Sequence, residues 1–165
     1  MLYRIKEAFW SWGDDFSITD AQGNEVYRVD GAAFSWGDKL NLLDMRGNEL
    51  ARIGQRLLSF KPCYEISVGG QVFAEVRKEW SWFKQTFTLD VPGPNDYTVT
   101  GSFWQHAFTF ERGGRVVATV SKAAWGWTDS YGVEVVEGED DLILMGMVIL
   151  MTFIQFRYVE RKVQY

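Results

Sequence analysis

The chain has 165 residues, 47% hydrophobic and 24% charged, proportions that predict one soluble globular domain over 1–165 with one core. With 17 Lys and Arg against 22 Asp and Glu the formal charge is −5, which disfavours generic attraction to nucleic acid or an anionic lipid surface, so that any such binding needs a local basic patch. Cys63 is the single cysteine, so there is no internal disulfide, and no apolar run follows a basic start, so a cytoplasmic location is the expectation.

Alternating apolar positions between turn signals predict about twelve short strands over about 2–137. In chain order they lie near Leu2, Phe16, Glu25, Leu40, Leu50, Tyr64, Val72, Thr86, Tyr97, Ala107, Val116 and Tyr131. The first places Tyr3 and Ile5 on one face and Arg4 and Lys6 on the other. An internal repeat follows, in which "WSWGDDFSITDAQGNEVYRV" from Trp10 matches "FSWGDKLNLLDMRGNELARI" from Phe34 at an offset of 24 residues. Within each copy, "DAQGN" and "DMRGN" put Asp first and Gly fourth, the order of a type I turn in a hairpin. Further on, Gly69-Gly70 and Gly113-Gly114 suit two-residue turns that need positive φ. The run Val72, Ala74, Val76 against Phe73, Glu75, Arg77 reads as nearly apolar on both faces, and many such strands predict a closed barrel. Trp10 with Trp12, Trp80 with Trp82, and Trp125 with Trp127 are spaced by two, which reads first as aromatic packing at strand ends.

The last element is "DDLILMGMVILMTFIQF", Asp140 to Phe156. Leu142, Leu144, Met145, Val148, Ile149, Met151 and Phe153 leave no polar face, so a helix here, over about 140–158, is either buried or in a membrane. The 15 residues from Leu142 to Phe156 span roughly 22 Å as a helix, short of the roughly 30 Å of a bilayer core. Burial is therefore the expectation, with no transmembrane segment. Asp140 and Asp141 at the start and Arg157 at the end suit the helix dipole. A barrel of eight strands fills with side chains alone, whereas one of about twelve has room for a central helix.

Two stretches carry a resemblance. "FSITDAQGNEVYRVDGAAFSWGDKLNLLD" (Phe16 to Asp44) and "TDSYGVEVVEGEDDLILMGMVI" (Thr128 to Ile149) resemble the bacterial branch of the LURP-one-related family, within the Tubby C-terminal-like superfamily. That resemblance implies a twelve-stranded β-barrel around one hydrophobic C-terminal helix, the architecture that strand count and helix length also predict. It implies a phospholipid headgroup or other anion as ligand, since Tubby domains bind phosphoinositides and the related scramblases act on phospholipids. No ligand residue of those proteins matches a position here. The tail "RYVERKVQY", Arg157 to Tyr165, departs from the family pattern by being basic and aromatic.

No catalytic constellation is found. His106 is the only histidine, so any triad or zinc site must use it, and nothing near Cys63 predicts a lowered thiol pKa. Asp20 and Asp44 lack the Gly and Glu spacing of a calcium loop. Glu137, Glu139, Asp140 and Asp141 read as helix capping before they read as a cation site. No cofactor or metal is expected. Basic residues remain: Arg4 and Lys6 read first as a solvated outer face, and Lys78 and Lys122 hold equivalent repeat positions on the face of Val72, Ala74, Val76 and of Val116, Ala118, Val120. If that face points inward, both ammonium groups stand at a barrel mouth, near helix-end carbonyls or an anionic ligand. The expected function is a non-enzymatic binding module with Lys78, Lys122, Arg4 and Lys6 as candidate anion or lipid contacts. The alternative is a structural or protein-interaction module using exposed Trp pairs and the basic tail. A third reading is an enzyme or a sugar binder.

Overall fold

A computed structural model describes residues 1–6, 15–30, 39–56, 58–60, 63–79, 85–93, 96–102, 107–122, 130–141, 144, 146 and 148. They form twelve strands: β1 (Leu2–Lys6), β2 (Phe16–Asp20), β3 (Glu25–Asp30), β4 (Lys39–Leu43), β5 (Glu49–Gln55), β6 (Cys63–Val68), β7 (Gln71–Glu79), β8 (Gln85–Asp90), β9 (Tyr97–Ser102), β10 (Ala107–Arg112), β11 (Arg115–Ser121) and β12 (Ser130–Val135). Every pairing is antiparallel between consecutive strands, and β12 closes on β1 with Leu2 opposite Glu134 and Lys6 opposite Ser130. The result is a closed barrel without a free edge. Even-to-odd connections leave from one rim, called here the turn rim. Odd-to-even connections leave from the other, the far rim.

Alternation decides the inside. Tyr3 and Ile5, Phe16 and Ile18, Leu40 and Leu42, and Val133 and Val135 are buried and belong to one core cluster, while Arg4, Ser17 and Asn41 between them stay partly exposed. The twelve strand positions agree with those expected from the sequence.

The tight turns follow their residues. Asp20 accepts from the backbone N–H of Gln22 and of Asn24 at 2.9 Å and from Asn24 Nδ2 at 3.0 Å, and Gly23 takes φ 87°. Asp44 repeats this with Arg46 and Asn48 at 2.8 Å, with Gly47 also at φ 87°. A Cβ carried in that left-handed region is strained, so glycine belongs there. Gly69-Gly70 and Gly113-Gly114 have positive φ throughout, as two-residue turns of this class require.

One expectation is corrected. Val72 and Val116 do not share the inner face with Ala74 and Val76 or Ala118 and Val120: they are 52% and 49% exposed, while Val117 is buried. The cause is a bulge. The register slips by one residue between Ile66 and Ser67, so Phe73 has no partner, and between Phe110 and Glu111, so Val117 has none. The same slip between Ile18 and Thr19 and between Leu42 and Leu43 leaves out Val26 and Leu50. Each bulge sits just past a turn and bends its strand, as closure of the sheet demands.

Within 140–158, Asp141, Leu144, Gly146 and Val148 are described and have helical backbone. Leu144 and Val148 are buried in the cluster formed by the strands. A Cβ at Gly146 would lie 3.6 Å from Ile66 and 3.8 Å from Ile53, against the wall of β5 and β6. Leu142, Met145, Ile149, Met151 and Phe153 lie outside the described residues, as does the tail from Arg157. Among the described residues, no helix is long and apolar enough to cross a membrane.

Candidate functional site

The outer faces of β1, β2 and β3 form a groove of about 440 Å³ lined by Arg4, Lys6, Asp15, Ser17, Thr19, Glu25 and Arg28. Register fixes who stands beside whom. Arg4 is opposite Thr19, and Thr19 is opposite Glu25. Ser17 is opposite Arg28, and one further step of the β1–β2 register puts Lys6 on the other side of Ser17. Two rows therefore cross the groove: Arg4–Thr19–Glu25, and Lys6–Ser17–Arg28. The second has a cation at each flank and a hydroxyl between them, spanning two inter-strand spacings of about 4.8 Å each, or roughly 10 Å. A phosphate or carboxylate fits such a row, since all its oxygens are acceptors and all three side chains donate. Asp15 and Glu25 mark opposite ends of the groove and oppose anions there.

Arg4 is also tied to β12, where its Nε donates to Ser130 Oγ at 3.0 Å. Gly132 on β12 faces Arg4 in the register.

Of the four basic residues expected to matter, the structure brings together Arg4 and Lys6 only. Lys122 follows β11, two strands from β1, and is half-buried. Lys78 is in β7, opposite Phe87, at a register position of the inner face, with its side chain outside the described set. Both positions are at the far rim, but β7 is across the barrel from β1. Ser17, Thr19 and Arg28 were not anticipated. Arg28 reaches Ser17 only because Val26 is bulged out of the pairing, and a hydroxyl in an alternating strand carries no signal of its own.

The acidic run after β12 is engaged at the turn rim. Tyr97 donates from its hydroxyl to Glu139 at 2.9 Å and accepts from Arg112 Nη1 at 2.9 Å. Arg112 also reaches Glu139 at 3.4 Å and lies 4.8 Å from the Tyr97 ring centroid. Burial, then the Glu139 carboxylate, pushes the Tyr97 phenol up to about 12. On the other side Tyr3 donates to Asp141, and burial together with that carboxylate raises its pKa. The Asp140 carbonyl accepts from Leu144 N–H at 3.1 Å. These partners clamp the segment leading into the helical residues.

Asp20 and Asp44 are spent on their turns, where the Asn24 and Asn48 side chains, first among several donors, hold each carboxyl below its ordinary 3.8. Among the described residues no group of three or more His, Cys, Asp or Glu is placed to hold a metal. Cys63 is buried, and burial pushes its thiol above the ordinary 9.0, away from the thiolate that nucleophilic work needs. His106 and all eight Trp lie outside the described residues.

Comparison with known proteins places these observations. The family model described as LURP-one-related matches residues 1–152. The chain is 34% identical over 154 residues to the uncharacterized protein YxjI of Bacillus subtilis (strain 168), covering 93% of this chain and 78% of that one. An X-ray structure of a protein from Arabidopsis thaliana superposes with a TM-score of 0.66 over 90% of this chain and 88% of the other, at 17% identity. That last likeness is one of fold.

Proposed function

The chain belongs to the LURP-one-related family, and on that footing we propose that it is a non-enzymatic module that binds a phospholipid headgroup or another anion in the groove over β1–β3. The observation that carries this reading is the Lys6–Ser17–Arg28 row, cationic at both flanks on a chain of net charge −5. The helical residues Asp141, Leu144, Gly146 and Val148 belong, in this reading, to one buried helix over about 140–158 that fills the barrel. An interior so filled leaves the outer face as the place for a ligand. Strong contacts elsewhere support the choice: Glu139, Asp141, Asp20 and Asp44 already have partners and serve the fold.

Co-sedimentation with vesicles tests it. At low salt the protein is expected to bind phosphatidylcholine vesicles only when phosphatidylserine is included, and the Lys6→Ala/Arg28→Ala variant to bind about tenfold less, the size of one lost charge-assisted contact or two weaker ones. Equal binding with and without the anionic lipid, or unchanged binding by the variant, contradicts the proposal.

A further inference from the structure

Leu58 and Phe60, in the connection between β5 and β6, are 97% and 111% exposed. Side chains of this size are ordinarily covered, and here no described residue covers them. Two side chains cannot supply the roughly 800 Å² that a stable protein interface buries on each partner. A bilayer asks for less: apolar groups that enter the boundary of the acyl chains, with cations beside them at the headgroups.

The surroundings fit that partner. The connection reads "RLLSFKP" over 56–62, with cations and no acid, although Arg56 is shared with Glu65 at 3.7 Å and Glu75 at 3.4 Å. It leaves from the far rim, where, among the described residues, Lys6, Lys39, Arg56, Lys78 and Lys122 stand at or next to strand ends against Asp15, Asp30 and Glu79. The turn rim is the reverse, with Asp20, Asp44, Asp90, Asp96 and Glu137 against Arg46, Arg112 and Arg115. Among the described residues the turn rim is thus the more acidic of the two, so an anionic surface is met with less repulsion far rim first. The Lys6 end of the groove lies toward that same rim.

We infer that Leu58 and Phe60 insert into the surface of an anionic bilayer, so that the far rim docks on the membrane and the groove meets its anion there as a lipid headgroup. This rests on the anion-binding reading of the groove and names the source of the anion.

The test attaches an environment-sensitive fluorophore at position 60 through Phe60→Cys in a Cys63→Ala background. The same label at position 22 on the turn rim, through Gln22→Cys in that background, is the control. With phosphatidylcholine–phosphatidylserine vesicles the label at position 60 is expected to shift to the blue and to be quenched by chain-nitroxide lipids, while the label at position 22 does neither. Leu58→Ser/Phe60→Ser, its fold checked by circular dichroism, is expected to partition at least about tenfold more weakly, given what two large apolar side chains contribute. Sedimentation with vesicles and no spectral change at position 60 overturns the inference and leaves the groove reading standing. Binding of soluble glycerophosphoserine without vesicle binding does the same. Insertion at position 60 that is indifferent to Lys6→Ala/Arg28→Ala instead removes the groove and keeps the tip.

Discussion

The Asp-x-x-Gly-Asn turns show how much one side chain arranges. Each Asp carboxylate takes two backbone N–H groups and one Asn amide, so protonation removes acceptors that the turn uses. Because the folded-state pKa values of Asp20 and Asp44 are depressed below 3.8, their stabilisation is present above that pH and is lost as the pH falls through the folded values. The gap in urea midpoint between the wild type and an Asp20→Asn/Asp44→Asn variant is expected to be constant from pH 7 to 4 and to narrow below. Gly101 is a different case. It faces Phe108 across the β9–β10 pair, and a Cβ there would lie 2.3 Å from the Ala107 carbonyl oxygen and 2.5 Å from Phe108 Cδ1. Gly101→Ala is expected to cost about 1–3 kcal/mol in chemical denaturation, the range for overpacking. Tyr97→Phe leaves the partly buried Glu139 and Arg112 without their shared hydroxyl and is expected to cost about 1–3 kcal/mol. The turns were legible in the sequence because their residue types are demanded by backbone geometry. The Tyr97 and Tyr3 contacts were not, because each joins residues far apart in the chain and an aromatic strand residue reads simply as core.

At the level of elements, all twelve strands could be read, since the hairpins of the turn rim close on glycine or Asp-led turns and so pair the apolar alternations two by two. The four bulges could not. A bulge shifts the alternation by a single residue, and in "RVVATV" the two adjacent valines, Val116 and Val117, fit either face until the partner strand β10 decides. The composition of the C-terminal segment predicts burial, and of its described residues Leu144 and Val148 are buried. Gly146 gives a sharp test of how this segment sits. Alanine there meets Ile66 at an ordinary contact distance of 3.6 Å and gains up to about 1 kcal/mol of helix propensity, whereas Gly146→Leu drives a larger group into Ile66 and Ile53 and is expected to cost about 1–3 kcal/mol. Opposite effects of the two variants on the thermal midpoint support a helix packed on the β5–β6 wall; equal effects speak against it. If one buried helix fills the barrel as proposed, truncation before Asp140 is expected to leave an insoluble chain, because the inward side chains of the strands then lose the groups packed between them.

For the molecule as a whole, charge is arranged rather than merely summed. A net −5 read from composition argues against an anionic ligand, but the turn rim holds much of the acidity, and the Lys6–Ser17–Arg28 row lies on the outer wall away from most of it. Arg4 and Lys6 could be singled out in the sequence as one face of β1; their complement on β2 and β3 depends on register across three strands, which no local pattern encodes. Exposed cations of this kind are screened within about 8 Å at physiological ionic strength, so vesicle binding is expected to weaken steeply between low and physiological salt. The most direct measurement is an amide chemical-shift titration of the protein with soluble glycerophosphoserine. Shifts centred on Lys6, Ser17, Thr19 and Arg28, with Asp44 and Gly113 unmoved, are the predicted result. Shifts centred elsewhere on the barrel, or none at millimolar ligand, would contradict the account.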